Sequence, residues 1–253
     1  TTEIYTLSLH DALPISPSGG TWEISDYWPQ TLVSTLAHEF QHMIHFYQKA
    51  IKNNISSNTA VNEMASMCIE DLIANKILSN GPRGVAYGTA NAGSASNTSG
   101  RLPGYNSRNY YNLLDWSDNE DEVYLNYSKT YAFGAYLMRN YGGANFIKQL
   151  VQSNLVGVNC IVDAVNVNGG AGLTYENILR NFGVANLMSN NTNLTQGYIF
   201  NTGTWFTSSV GGITYQIGSV NLYNYNPSPF VYITLPATQR AGSNLYYIAG
   251  SSV

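Results

Sequence analysis

The chain has 253 residues, 44% of them hydrophobic and only 10% charged, with a formal net charge of −4. That length holds one sizeable core plus a small second unit, and the apolar share excludes a disordered chain. No polybasic patch is available for nucleic acid or an anionic membrane, so neither partner is expected.

Charged residues fall well under the roughly 25% of an average soluble domain, and Tyr, Asn, Ser, Thr and Gly take their place. Such a surface hydrogen-bonds without strong fields and is common outside the cell, so an extracellular or cell-surface location is the expectation. No apolar run reaches the ~20 residues of a spanning helix. The two cysteines, Cys68 and Cys160, form no CxxC pair and read as buried thiols.

In chain order, residues 1–16 (TTEIYTLSLHDALPIS) resemble a translated sequencing-adapter artefact of the kind found at the ends of metagenomic reading frames. They are read as non-native and set aside, His10 and Asp11 included, and the chain reads as an internal fragment without its export signal. Pro29 then stands where the first turn of a helix tolerates it. From Gln30 to about Lys52, Leu32, Leu36, Phe40, Ile44 and Tyr47 recur at spacings of three and four, which predicts a helix. A polar loop leads to a second helix, from about Ala60 to Leu78, stopped by Asn80-Gly81-Pro82.

Residues 84–108 carry no period and read as a long surface loop, a feature usually functional or mobile. Helical patterns return at Tyr127–Tyr141, Ala144–Asn154 and Cys160–Val167. A last one spans Tyr175–Ser189, with Thr174 as its N-cap. Beyond Asn190 the short runs GYIF, TWFTS, ITYQIGSV, FVYITL and LYYIA alternate with turn residues, which predicts antiparallel strands. The expected class is therefore α+β, a helical block followed by a small antiparallel β region.

The chemistry is concentrated in the first helix, in the run His38-Glu39-Phe40-Gln41-His42. Residues four apart share a helix face, so both imidazoles can reach one ion. Zinc suits neutral imidazole, and a catalytic site takes three protein ligands and leaves one position open. Glu39 stands beside a ligand and can take a proton from the attacking water as general base. His45 is too far along the helix, about 10 Å from His38, for three histidines to share the ion. It reads as a hydrogen-bonded helix residue.

The second helix offers the third ligand. Glu63 follows His42 by 21 residues and sits in an otherwise apolar run, VNEMASMCIED, where an unpaired carboxylate is costly. Glu70, seven residues on, shares its face and can accept a hydrogen bond from the non-ligating nitrogen of a bound histidine. Asp71, on another face, competes with either.

The runs AHEFQHMIHFYQK, NEMASMCIEDL, NGPRGVAYG and YAFGAYLMRNYGG resemble the hyicolysin-like zinc metallopeptidases, a secreted bacterial branch of the gluzincins. The likeness covers about Tyr27 to Leu187. It implies a zincin-like catalytic lobe with His38, His42 and Glu63 as zinc ligands and Glu70 bracing a ligand histidine. NEMASMCIE and Tyr131-Ala-Phe-Gly-Ala also resemble gluzincin aminopeptidases, in which the tyrosine donates to the tetrahedral oxyanion; Tyr131 takes that role by resemblance. Such enzymes place a β lobe before the first of these helices, and little of one precedes Gln30 here.

The combined expectation is a helical metallopeptidase lobe over residues 17–190 and a β module over 191–253 that can touch a surface or glycan. The chain is read as a secreted zinc endopeptidase acting on protein or peptide, with Glu39 as base. The rival is a cell-surface binding or structural protein with a metal-stabilised, catalytically idle domain. An idle domain loses its base first, because the base does not hold the metal, and Glu39 is present.

Overall fold

The computed structural model describes residues 30–77, 81–83, 101–107, 109–119, 122–188, 194–200, 207–210, 213–216 and 242–244. Helix α1 spans Gln30–Phe46 and runs on as a π-helical segment, Tyr47–Lys52. Helix α2, Thr59–Lys76, starts at Asn58, whose side chain accepts from the Val61 amide at 3.2 Å. That N-cap satisfies one of the donors a helix start leaves open. The long loop expected after Gly84 contains a short helix, α3, over Arg101–Ser107; residues 84–100 lie outside the described residues.

Helix α4, Val123–Asn140, is the centre of the fold. It is buried on nearly every side, with Tyr131, Ala132, Phe133, Ala135, Tyr136, Leu137 and Met138 inaccessible to solvent. Its polar residues Asn126, Lys129, Thr130, Arg139 and Asn140 are buried as well, so the helix lies inside the core rather than on its surface. Gly134 makes its crossing with α2 possible: a Cβ there would stand 2.4 Å from the Met64 Cγ and 2.9 Å from the Cys68 Sγ. The glycine of the YAFGA run is thus explained by packing.

At the end of α4 the chain turns through Gly142, whose φ of +87° suits glycine. Helices α5 (Ala144–Gln152), α6 (Gly157–Val167) and α7 (Tyr175–Met188) complete the layer around it. The Thr174 hydroxyl accepts from the Asn177 amide at 3.3 Å, the expected cap of α7. Both cysteines are buried and free. Among the described residues, no helix is long and apolar enough to cross a membrane.

The α+β expectation is corrected: the fold is mainly helical. The antiparallel β region expected over 191–253 is not shown; among the described residues after α7 the strands are those of one hairpin, β1 (Thr207–Val210) and β2 (Ile213–Gln216). The run GYIF is no strand. Asn140 at the end of α4 donates through Nδ2 to the carbonyls of Ile199 and Phe200, and its Oδ1 accepts from the Gly197 amide. Those main-chain groups are spent on a helix end, and Phe200 is buried in the helical core. The runs FVYITL and LYYIA, and all residues before Gln30, lie outside the described residues.

Candidate metal centre

Helices α1 and α2 form an antiparallel pair joined by the 53–58 loop, and the pair brings three side chains to one point. His38 and His42 stand one turn apart on α1, their rings edge to face with centroids 4.6 Å apart. Their Nε2 atoms are 2.9 Å from each other. The Glu63 Oε2 lies 3.3 Å from the His38 Nε2 and 3.5 Å from the His42 Nε2. Tetrahedral ligands at about 2.0–2.1 Å from zinc stand about 3.3–3.4 Å apart, so the triangle has the dimensions of a metal face.

The hydrogen bonds on the far side of each ring decide which nitrogen is free. His38 donates from Nδ1 to Glu70 Oε1 at 2.5 Å, which leaves its Nε2 lone pair aimed at the centre. The His42 Nδ1 is 3.1 Å from Asn62 Oδ1, with the Ser66 hydroxyl at the same distance. Asn62 and Ser66 were not read from the sequence. They lie one before and three after Glu63 on α2, so one helix supplies both the third donor and the braces.

The electrostatics of the centre suit a cation. The Glu63 Oε2 is buried and has no hydrogen-bond donor; both imidazoles approach within ion-pair range, but not with hydrogen-bond geometry. Burial alone would lower the His38 pKa, but the neighbouring carboxylates of Glu63 and Glu70 outweigh it and raise it to about 9. His42 is also raised, against burial, chiefly by Glu63. Burial would raise Glu63, yet the two histidines hold it down at about 2. Three convergent donors and an orphaned carboxylate oxygen fit a divalent metal of the zinc type, whose charge would take the place of the protons.

The remaining candidates separate cleanly. Glu39 is partly buried on α1, and its charge acts on Tyr127 alongside those of Glu63 and Glu70. Asp71 neither binds nor braces. It is buried between Arg83 Nε, at 2.5 Å, and Arg139 Nη2, at 2.8 Å. His45 is buried with its Nε2 2.6 Å from the Ser57 hydroxyl, the helix residue it was expected to be. Burial and the nearby charges of Lys49 and His42 lower it to about 4.

Tyr131 is corrected. It is wholly buried, and its hydroxyl donates to Asp71 Oδ1 at 3.1 Å, in the core rather than at the centre. The phenol that feels the centre is Tyr127, one turn earlier on the same face of α4. Burial first, then the charges of Glu63, Glu39 and Glu70, push it up to about 12. Its ring meets Trp116 edge-on at 5.2 Å, and the Arg101 guanidinium lies 4.7 Å over its face. The spacing of four from Tyr131 was the available signal.

A family profile described as Peptidase M30 matches residues 25–208, which takes in every helix above. The chain belongs to the peptidase M30 family. This M30 protein is therefore a peptidase, a hydrolase whose substrates are proteins or peptides, from a family of metallopeptidases. His38, His42 and Glu63 are the group able to hold a metal ion among its described residues. No curated protein matches the chain.

Proposed function

We propose that this M30 peptidase is a zinc-dependent endopeptidase in which His38, His42 and Glu63 hold the ion. The observation that carries the reading is the buried, donorless Glu63 Oε2 facing two imidazole nitrogens at 3.3 and 3.5 Å. Zinc held there would supply Lewis acidity, polarising a peptide carbonyl and acidifying a water.

The chain's own residues supply the proton chemistry and the orientation. Glu39 takes the proton of the attacking water and hands it to the leaving amine as the C–N bond breaks. Glu70 fixes the His38 tautomer through Nδ1, and Asn62 with Ser66 does the same for His42. Tyr127 stays protonated and presents a donor to the charge that develops on the substrate oxygen. The low charge content supports an extracellular or cell-surface location.

The test is metal analysis of the purified chain, followed by a quenched internally labelled peptide assay with and without chelator. One equivalent of zinc, and cleavage that chelator removes and zinc restores, supports the reading. A protein with no zinc, or cleavage indifferent to chelator, overturns it.

A further inference from the structure

Arg101 opens α3, and its place is fixed by the way that short helix lies on α4. Leu102 and Tyr105 are wholly buried, and the Tyr105 hydroxyl accepts from Asn186 Nδ2 at 2.9 Å. A Cβ at Gly104 would stand 2.5 Å from the Ser128 Oγ, so a glycine is what lets the two helices come this close. Ser128 is the neighbour of Tyr127 in sequence. The anchored turn thus sets the Arg101 guanidinium 4.7 Å over the Tyr127 ring, which Trp116 meets edge-on at 5.2 Å. All three side chains are half-buried.

The Arg101 charge has no carboxylate of its own among the described residues. The guanidinium–carboxylate pairs there are those of Arg83 and Arg139 with Asp71. Attraction to a ring face places a cation without giving any of its N–H groups to an oxygen. Being half-buried, Arg101 still reaches solvent. It also belongs to the surroundings of the centre, since its charge acts on the Tyr127 phenol against those of Glu63, Glu39 and Glu70. A guanidinium stacked on an aromatic ring, with its planar fork of donors open, is built for bidentate recognition of an anion.

The anion follows from the family. A peptidase meets peptides, and the anionic groups of a peptide are carboxylates, on Asp and Glu side chains and at the C-terminus. Two carboxylate oxygens match a single guanidinium fork. Extended peptide advances about 3.3 Å per residue, so a group one tyrosine ring away from the reacting carbonyl falls within two residues of it.

We propose that Arg101 binds a substrate carboxylate within two residues of the scissile bond, through the guanidinium edge that Tyr127 leaves free, and so gives this peptidase a preference for peptides that carry one there. The assignment rests on the reading that hydrolysis runs at the centre of His38, His42 and Glu63.

Two pairs of peptides test it. In the first, both ends are blocked and Glu replaces Gln within two residues of the mapped cleavage site. In the second, the sequence is neutral and its C-terminus, equally close to the bond, is a free acid or an amide. One acid peptide should be cleaved with a kcat/KM about tenfold or more above that of its neutral twin, mostly through KM. The pair that responds identifies the source of the carboxylate. Calorimetry of the same peptides with the Glu39→Gln chain should show the same preference without turnover. Arg101→Gln should bring the ratio to about one, and Arg101→Glu should reverse it in favour of a Lys-containing peptide. Thermal melts report whether each variant folds, and Arg101→Gln carries the test alone if the reversal does not. The proposal fails if wild type prefers neither acid peptide or if Arg101→Gln keeps the preference. It also fails if that variant slows acid and neutral peptides alike, which would leave Arg101 a role toward Tyr127 only. Cleavage indifferent to chelator overturns the zinc reading, whereas a ratio of one in a zinc-dependent enzyme overturns this assignment alone.

Discussion

The Nδ1 of His38 and the Oε1 of Glu70 are 2.5 Å apart, and they join two helices across 32 residues of sequence. The contact sets which nitrogen of His38 faces the metal position. Glu70→Gln keeps an acceptor but removes the charge, so zinc affinity should fall about 10–100-fold while the site still fills at high metal. A competition titration against a chromophoric chelator measures it. Unchanged affinity would remove Glu70 from the site.

Glu39 and Glu63 should separate by phenotype. Glu39→Gln keeps the metal at full stoichiometry and loses general-base catalysis, about 10²–10⁴-fold in kcat. Glu63→Ala loses the metal and the activity together. Wild-type cleavage by Glu39→Gln would show that hydrolysis does not run through this centre.

Metal binding should release protons. Without metal, His38 is raised to about 9 from its ordinary 6.5, so it is charged at neutral pH and must lose its proton to ligate. Calorimetry in buffers of different ionisation enthalpy reads that release directly. In chelator, the raised His38 stabilises the fold fully below about 6.5, and the benefit disappears as pH rises through about 9. Glu63, held at about 2, contributes above its ordinary 4.5 and loses that contribution as pH falls through about 2. The metal-free Tm should therefore drop between neutral pH and pH 9.5, and the zinc-loaded Tm much less. Equal pH profiles for the two forms would contradict the coupling.

The two tyrosines give opposite outcomes. Tyr127→Phe should lower kcat about 10²-fold with little change in Tm. Tyr131→Phe should leave kcat within a few-fold and cost about 1–3 kcal/mol of stability, since Asp71 loses a buried donor. Paired peptide kinetics and thermal melts decide it, and a reversed pattern would return the catalytic role to Tyr131.

Asp71 holds the interior rather than the chemistry. Asp71→Ala strands the Arg83 and Arg139 charges in the core, which should destabilise the fold by about 3–5 kcal/mol. Denaturant unfolding of the zinc-loaded protein measures this, and a loss under 1 kcal/mol would mean that the arginines are charged and solvated elsewhere.

What the sequence determined by itself was local. A spacing of four on one helix puts His38 and His42 on a single face regardless of the rest of the fold, and the acidic positions of α2 followed from periods of the same kind. Helix order and most boundaries were legible because apolar period and caps act within a few residues, as at Thr174. Tertiary structure decided everything that depends on how α4 crosses α2. The close approach at Gly134 turns Tyr131 inward to Asp71 and leaves Tyr127 facing the carboxylates, a choice between two phenols one turn apart that no local pattern contains. The same holds for GYIF, whose alternation reads as a strand. Asn140, nearly sixty residues earlier, takes up its main-chain groups and makes it an anchored connection instead, because a side-chain amide at a helix end can satisfy what a neighbouring strand otherwise would.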